Sequence, residues 1–177
     1  MSGSAIGQSI DALLRGHAVA GKVRPDVLVG LLGRGIQLSR TPAMHEREAA
    51  RLGLACAYVL IDFDALQLAD SDLAAVLDAV AARDFHGVNV TYPFKQAVMP
   101  LLDEVADDAE AIGAVNTVVF GARRTGHNTD CWGYAQGFRE AMTGAPLGHV
   151  ALFGAGGAGS AVAYALIGLG AGRITIV

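Results

Sequence analysis

A lysine and an aspartate, well separated in the sequence, are the strongest candidates for proton chemistry. Lys95 ends the segment N-V-T-Y-P-F-K, one helical turn after a predicted strand, and Asp130 stands at a predicted helix start. Oxidation of a secondary alcohol needs a hydride acceptor and a group that takes the hydroxyl proton. A lysine held close to a carboxylate can take that proton. Taken singly, Lys95 is more typical of a solvated helix residue and Asp130 of a plain N-cap.

Polar residues near Lys95 are candidates for binding the hydroxyl groups of a polyol. In open α/β sheets, ligands bind beyond the carboxyl ends of the strands, so we expect Thr91 and Lys95 to point toward such a crevice. Asn116 and Thr117 lie on the following strand, and Asn128 and Thr129 precede Asp130. Asn116 alone is more typical of a turn or a sheet edge.

A glycine-rich loop indicates a second kind of chemistry. Residues 154–159 read G-A-G-G-A-G, which fits G-x-G-x-x-G, between an apolar strand and an apolar helix. Such glycines permit a tight turn, close approach of the backbone to a pyrophosphate, and close packing of helix on strand. The helix N-terminus attracts the phosphates. This context predicts dinucleotide binding, and the alternative is a tight turn in an ordinary β-α-β unit.

Strands alternate with helices around these residues. Apolar runs predict strands at 27–32, 57–63 and 87–91. Thr41 and Pro42, as N-cap and first helical residue, predict a helix at 41–52. Periodic apolar residues predict a helix that Asp70 or Ser71 caps and that continues through Val80. Helices are also expected at 94–101, after Pro93, and at 103–112, where acidic residues occupy the first turns. Residues 114–120 and 125–128 predict an antiparallel pair, and Asp130 begins a helix that ends near Met142. The first 24 residues are hard to place and give only a hint of a short helix.

This order predicts an α/β fold, a three-layer α/β/α domain with a mostly parallel sheet. Residues 143–148 contain two glycines and a proline and form a linker. We expect a substrate-binding and catalytic domain at 1–143. Residues 144–177 are then the first, incomplete β-α-β unit of a Rossmann-type dinucleotide-binding domain, with strands at 149–153 and 173–177 around a helix at 156–169.

The composition excludes several classes of protein. A net charge of −4 gives no reason to expect nucleic-acid binding. No signal peptide is visible, and no stretch approaches the roughly 18 consecutive apolar residues of a membrane span. Cys56 and Cys131 have neither metal-ligand nor disulfide-framework spacing. We therefore expect a cytoplasmic, soluble protein without a metal site or a membrane partner.

Five segments together resemble the shikimate dehydrogenase family, in that family's order and spacing. They are residues 39–45 (S-R-T-P-A-M-H), 89–95, 113–117 (G-A-V-N-T), 128–130 (N-T-D) and the glycine loop. The resemblance implies that Lys95 and Asp130 are the catalytic pair. It also implies that Ser39, Thr41, Thr91 and Asn116 bind the substrate with Asp130, and that Gly154, Gly156, Gly157 and Gly159 meet the cofactor pyrophosphate.

The implied reaction is the reversible, NAD- or NADP-dependent oxidation of the C3 hydroxyl of shikimate, a step of aromatic amino acid biosynthesis. The resemblance also implies that the protein is a monomer or a homodimer. Ser39-x-Thr41-Pro42 replaces the usual Ser-x-Ser-Pro and resembles the bacterial quinate/shikimate branch, which also oxidises quinate and commonly favours NAD. The residue that distinguishes NAD from NADP normally follows the second strand of the unit. The sequence stops at Val177, in that strand, so the choice between NAD and NADP stays open.

Two alternatives remain. One is a truncated, non-catalytic relative that binds a ligand or a partner. The other is the related methylene-tetrahydrofolate dehydrogenase architecture, which the five segments disfavour. Members of the resembled family continue through further strands of the nucleotide domain. If Val177 ends the natural product, we expect little turnover from it.

Overall fold

The computed structural model, which describes residues 2–16 and 24–177, contains a six-stranded sheet. The strands are β1 (Val27–Gly33), β2 (Cys56–Asp62), β3 (Gly87–Val90), β4 (Glu104–Val105), β5 (Thr117–Phe120) and β6 (Arg124–His127). Their order across the sheet is β2-β1-β3-β5-β6-β4. β1 runs parallel to β2 and β3, and β4 parallel to β6. The predicted antiparallel pair is β5 with β6.

Helices cover both faces of this sheet, which confirms the predicted α/β architecture. They are α1 (Gly3–Arg15), α2 (Thr41–Arg51), α3 (Leu73–Ala81), α4 (Phe94–Ala97), α5 (Asp107–Ile112) and α6 (Thr129–Ala141). On one face, α1 and α3 pack in the main apolar core with Leu32 and Val88. On the other, α2 lies over β2, where the His45 and Tyr58 ring centroids are 4.8 Å apart.

A second, two-stranded sheet follows residues 142–149, which form neither helix nor strand. Its strands β7 (Val150–Leu152) and β8 (Ile174–Ile176) are parallel and are joined by α7 (Gly157–Gly168). α7 packs against α6, and Ala161 of α7 shares a small apolar cluster with Ile112 and Ala114. The predicted domain boundary after residue 143 falls within the irregular segment and stays a prediction.

Helix α1 corresponds to the hint of a helix near the N-terminus. The serine before it, Ser2, is its N-cap, and the side-chain oxygen accepts the N–H of Ala5. Ile6 and Ile10 bury one side of α1 in the main core. The remainder of the unplaced segment, residues 17–23, lies outside the described residues.

Two helix predictions were wrong in extent because partners elsewhere decide the local structure. The helix expected at 103–112 begins only at Asp107, since Glu104 and Val105 pair with β6 as strand β4. The helix expected at 94–101 is interrupted, and a 3₁₀ turn (Met99–Leu101) follows α4. Pro100 lies in that turn and has no N–H to continue α4.

Three predicted caps also need correction. Arg40 is the N-cap of α2, and Thr41 is its first helical residue. The helix expected from Asp70 or Ser71 starts as a 3₁₀ turn (Asp70–Asp72) and becomes α3 at Leu73. Asn128, not Asp130, caps α6. The last difference has a consequence for the candidate site.

Candidate active site

Lys95 of α4 and Asp130 of α6 meet beyond the carboxyl end of β3, a central strand of the main sheet. The Lys95 Nζ donates to Asp130 Oδ2 at 2.5 Å, although 35 residues separate the two in sequence. Their side chains are 18% and 35% exposed, so the pair is partly shielded and still reachable by a small ligand. Partial burial strengthens the attraction between the two charges compared with a fully solvated pair.

The carboxylate of Asp130 is available for Lys95 because a neighbour caps the helix. Asn128 Oδ1 accepts the backbone N–H groups of Asp130 at 3.1 Å and Cys131 at 3.3 Å. The Asn128 amide also donates to the carbonyl of Ala114 at 2.9 Å, and the side chain is buried. Asp130 is therefore the second residue of α6, with a side chain that is not used as the cap.

Asn116 holds the other oxygen of the same carboxylate. Its Nδ2 donates to Asp130 Oδ1 at 2.8 Å, and its Oδ1 accepts the backbone N–H of Thr129 at 3.0 Å. A backbone N–H can only donate, so this contact orients the amide with its NH₂ toward the carboxylate. Lys95, Asp130 and Asn116 form one hydrogen-bonded group with both carboxylate oxygens occupied.

Helix α4 is short, and buried contacts hold it at the end of β3. Phe94, beside Lys95, is 1% exposed, and its ring centroid lies 4.4 Å from that of Phe63. The Lys95 carbonyl accepts the N–H of Val115 at 2.8 Å. The Tyr92–Pro93 peptide just before α4 is cis. The Lys95 backbone is thus attached both to the core and to the segment that leads into β5.

Ser39 and Thr41 form a separate hydroxyl pair at the start of α2. The Ser39 Oγ donates to Thr41 Oγ1 at 3.0 Å and accepts the Thr41 N–H at 3.2 Å. Thr91 follows β3 directly, next to the end of β1, where a Cβ added to Gly33 would overlap the Thr91 methyl group. Because β1 and β3 are parallel neighbours, the loops that carry Thr91 and the hydroxyl pair both leave the sheet at the carboxyl ends of these strands.

A buried carboxylate organises the loop that leads to the hydroxyl pair. Asp62 accepts the N–H groups of Gly35 and Ile36, both at 3.0 Å, and the side-chain amide of Gln37 at 2.9 Å. Burial alone raises the pKa of a carboxyl group. At Asp62 the hydrogen bonds from Gln37 and from the backbone of Asp64, Ile36 and Gly35 prevail, and the pKa lies below its usual value.

The glycine loop lies beside Lys95. A cavity of about 400 Å³ separates the loop at Gly156–Ala158 from the segment between β3 and α4, and it is lined on that side by Thr91, Tyr92, Pro93, Lys95 and Gln96. A Cβ added to Gly157 would lie 3.1 Å from Lys95 Cδ. The structure therefore brings the predicted phosphate-binding loop next to the predicted catalytic lysine.

The backbone of this loop requires glycine at two of the predicted positions. Gly154 has φ +97°, a conformation that residues with a side chain rarely adopt. A Cβ on Gly159 would clash with the carbonyl oxygen of Gly154. Gly156 is the N-cap of α7 and has no side chain to block the first N–H groups of the helix. This arrangement fits the pyrophosphate of a dinucleotide.

No role was predicted from the sequence for Asp62, Tyr58 or Asn89. Tyr58 O–H donates to Asn89 Oδ1 at 2.7 Å, on the sheet face that also carries Thr117. Each of the three lies in or next to an apolar strand, where a polar side chain must find a hydrogen-bond partner. A polar residue in or next to an apolar strand was therefore the available signal in the sequence. The hydrogen-bond partners of these residues could not be predicted, because they depend on the order of the strands.

Two negative findings apply to residues 2–16 and 24–177. No helix in these ranges is long and apolar enough to span a bilayer. No group of three or more His, Cys, Asp or Glu side chains in these ranges could hold a metal ion.

Comparison with known proteins supports the resemblance noted in the sequence. Residues 31–118 match the family model of the shikimate dehydrogenase substrate binding domain. The chain is 48% identical over 152 residues to a quinate/shikimate dehydrogenase (NAD(+)) of Corynebacterium glutamicum, covering 85% of this chain and 54% of that protein. It is 50% identical over 151 residues to a shikimate dehydrogenase (NADP(+)) of Streptomyces avermitilis, covering 85% of this chain and 52% of that protein.

A solved structure gives the same result. The quinate dehydrogenase from Corynebacterium glutamicum in complex with NAD superposes with a TM-score of 0.80 at 48% identity, over 85% of this chain and 54% of that one. The chain spans about half the length of the curated relatives that it matches.

Proposed function

The chain belongs to the shikimate dehydrogenase family, and from this premise we propose that it provides the substrate-binding and proton-transfer half of a shikimate or quinate dehydrogenase. The reaction is the reversible oxidation of the C3 hydroxyl of shikimate to 3-dehydroshikimate, and of quinate to 3-dehydroquinate, with NAD or NADP. The observation that carries the proposal is the Lys95–Asp130 pair at 2.5 Å, directly beside the glycine loop.

In this proposal Lys95 handles the proton of the reacting hydroxyl. In the direction of oxidation, the amine of Lys95 takes that proton, and in the reverse direction the ammonium returns it. Asp130 keeps the Lys95 Nζ in place and stabilises its positive charge once the proton has arrived. Asn116 keeps Asp130 from rotating away, because it binds the oxygen that Lys95 does not use.

The substrate lies between the loops at the carboxyl ends of β1 and β3. Ser39 and Thr41 offer hydroxyl donors for the substrate carboxylate, and Thr91 offers a hydroxyl for its ring hydroxyls. Asn116 would bind a ring hydroxyl by exchanging its hydrogen bond to Thr129 Oγ1 for one to the substrate. Such side chains discriminate strongly for a polyol, since a ligand without matching hydroxyls leaves them unpaired. Asp62 contributes indirectly by holding residues 35–37 ahead of Ser39.

The cofactor pyrophosphate would be held by the backbone at Gly154, Gly156, Gly157 and Gly159. A bound nicotinamide dinucleotide supplies the hydride acceptor. The chain's own part is to admit the pyrophosphate at the start of α7 and to hold the glycine loop against Lys95. We assign residues 1–143 to the substrate domain and 144–177 to the first β-α-β unit of the nucleotide domain.

Turnover measurements test this proposal. NAD(P)H formation from shikimate and from quinate is measured with the 177-residue chain and with a chimera that continues it with the second half of the Corynebacterium glutamicum relative. Lys95→Met removes the amine at nearly constant length, and we expect a loss of about 10²–10⁴-fold in kcat. Arg51→Met, on the exposed side of α2, is the matched control and keeps full activity.

Binding and turnover together decide the outcome. Shikimate binding to the 177-residue chain, measured by calorimetry, tests substrate binding independently of the cofactor. A chimera that folds but oxidises neither polyol with either cofactor contradicts the proposal. So does a Lys95→Met chimera that remains as fast as the Arg51→Met control.

A further inference from the structure

Three polar side chains lie on one face of the main sheet, on three different strands. The strand register pairs Tyr58 of β2 with Val29 of β1, Leu31 of β1 with Asn89 of β3, and Asn89 with Thr117 of β5. Residues that pair across strands, and residues two apart on a strand, share a face. Tyr58, Asn89 and Thr117 therefore lie in a row across one face of the sheet. The residue before Thr117, Asn116, contacts Asp130.

Hydrogen bonds connect these side chains in one direction. Tyr58 O–H donates to Asn89 Oδ1 at 2.7 Å, and Asn89 Nδ2 donates to Thr117 Oγ1 at 3.1 Å. Thr117 Oγ1 donates to Asn116 Oδ1 at 2.9 Å, and Asn116 Nδ2 donates to Asp130 Oδ1 at 2.8 Å. We call Tyr58, Asn89, Thr117 and Asn116 the hydroxyl–amide relay.

Both ends of the relay impose this direction. Tyr58 is 1% exposed, and burial raises the pKa of its phenol, so the relay begins at a group that keeps its proton to donate. At the other end an ionised carboxylate can only accept, and the Thr129 N–H fixes which way the Asn116 amide points. Hydrogen bonds in such a chain polarise and strengthen one another.

We propose that Tyr58 and Thr117 are positioning residues for Asp130, acting through the relay to hold one carboxylate oxygen on Asn116 and leave the other to Lys95. The assignment of proton transfer to that pair rests on the proposed function. The relay itself rests on hydrogen bonds among this chain's own residues. Among the residues that the structure describes, the hydrogen bonds lead from Tyr58 to the carboxylate through Asn89, Thr117 and Asn116.

Conservative variants separate this role from ordinary packing. The Tyr58 ring packs against His45 and in a cluster with Leu31 and Ile36, and Tyr58→Phe keeps those contacts while it removes the hydroxyl. Thr117→Val removes a hydroxyl at nearly constant shape, and Thr117→Ser retains it. Tyr134→Phe on α6, where the ring stacks on Phe138, is a matched control for the loss of a phenol hydroxyl.

The first readout is the NMR signal of the Asn116 side-chain amide in the 177-residue chain. Weaker hydrogen bonds move N–H proton resonances upfield, so Tyr58→Phe and Thr117→Val are expected to shift the Asn116 Nδ2 protons upfield. Thr117→Ser and Tyr134→Phe are expected to leave them in place. If Tyr58→Phe moves the Asn89 amide signals and leaves those of Asn116 unchanged, the relay does not operate and the inference is wrong, whatever the activity of the protein.

The second readout is the division between kcat and KM in whichever form of the protein turns over. We expect Tyr58→Phe and Thr117→Val each to lower kcat about 2- to 10-fold, the effect of one lost hydrogen bond, with KM nearly constant. The double variant is expected to be no slower than the slower single variant, because both changes break one chain. Multiplied losses, or losses confined to KM, contradict the inference. If Tyr58→Phe fails to fold, the Thr117→Val and Thr117→Ser pair decides it.

Discussion

Asn128 accepts the backbone N–H of Asp130 at 3.1 Å, and this contact determines what the Asp130 side chain can do. An aspartate near a helix start commonly serves as the cap. Here the residue two positions earlier has that role, so the Asp130 carboxylate faces Lys95 and Asn116 instead. The helix start and the candidate active site are therefore coupled through one buried asparagine.

Removing the Asn128 cap should weaken both the helix and the site. Asn128→Ala leaves the first N–H groups of α6 and the Ala114 carbonyl without their partner, and we expect a loss of about 1–3 kcal/mol in the free energy of unfolding. Urea denaturation measures it. Asn128→Ser keeps a cap acceptor and should lose less. Equal losses in the two variants would show that capping is not the reason.

Asp62 should make stability depend on pH in the acid range. Its pKa in the folded protein is lower than the usual 3.8, so the unfolded chain takes up the proton first as the pH falls. The stabilisation is complete above the unfolded value and is lost as the pH falls through the folded value. The free energy of unfolding should therefore decline from about pH 5 downward.

Asp62→Asn is expected to flatten this decline and to lower stability at pH 7, because an amide cannot accept from all of these donors. Asp84→Asn serves as the control, since Asp84 makes only an exposed pair with Arg24 among the residues that the structure describes. Unfolding curves at several pH values provide the comparison. An Asp62→Asn protein with the same pH slope as the parent would mean that Asp62 is not the group responsible.

Two glycines of α7 should respond in opposite ways to alanine. In Gly159→Ala the new Cβ meets the Gly154 carbonyl, so the loop must move, at a cost of about 1–3 kcal/mol. Gly168→Ala meets no atom within 4 Å and should be neutral or stabilising by up to about 1 kcal/mol. Thermal unfolding reports the difference. Equal melting temperatures for the two variants would refute the close approach at Gly159.

Local patterns were sufficient to predict most elements of the main sheet. The run at 27–32 became β1, and the periodic apolar residues after Leu73 became α3, because both patterns match the face that each element buries. Strand β4 was missed because its two residues are a strand only through pairing with β6. In the sequence its acidic neighbours favour a helix start.

The candidate site was predictable in its residue types but not in its connections. Lys95, Asp130 and Asn116 stand in short recognisable segments, so they could be singled out in advance. The roles of Tyr58 and Asn89 depend on β1 lying between β2 and β3 and on the exact register of the three strands. Neither strand order nor register is encoded in any single segment.

The most direct test is a double-mutant cycle on kcat for shikimate oxidation by the chimera with the Corynebacterium glutamicum relative, with Lys95→Met, Asp130→Asn and the double variant. If Lys95 and Asp130 act as one unit, each single change lowers kcat by about 10²-fold or more, and the double variant is no slower than the slower single one. If the single variants stay within a few-fold of the parent, or if the two losses multiply in full, the pair does not perform the proton transfer together.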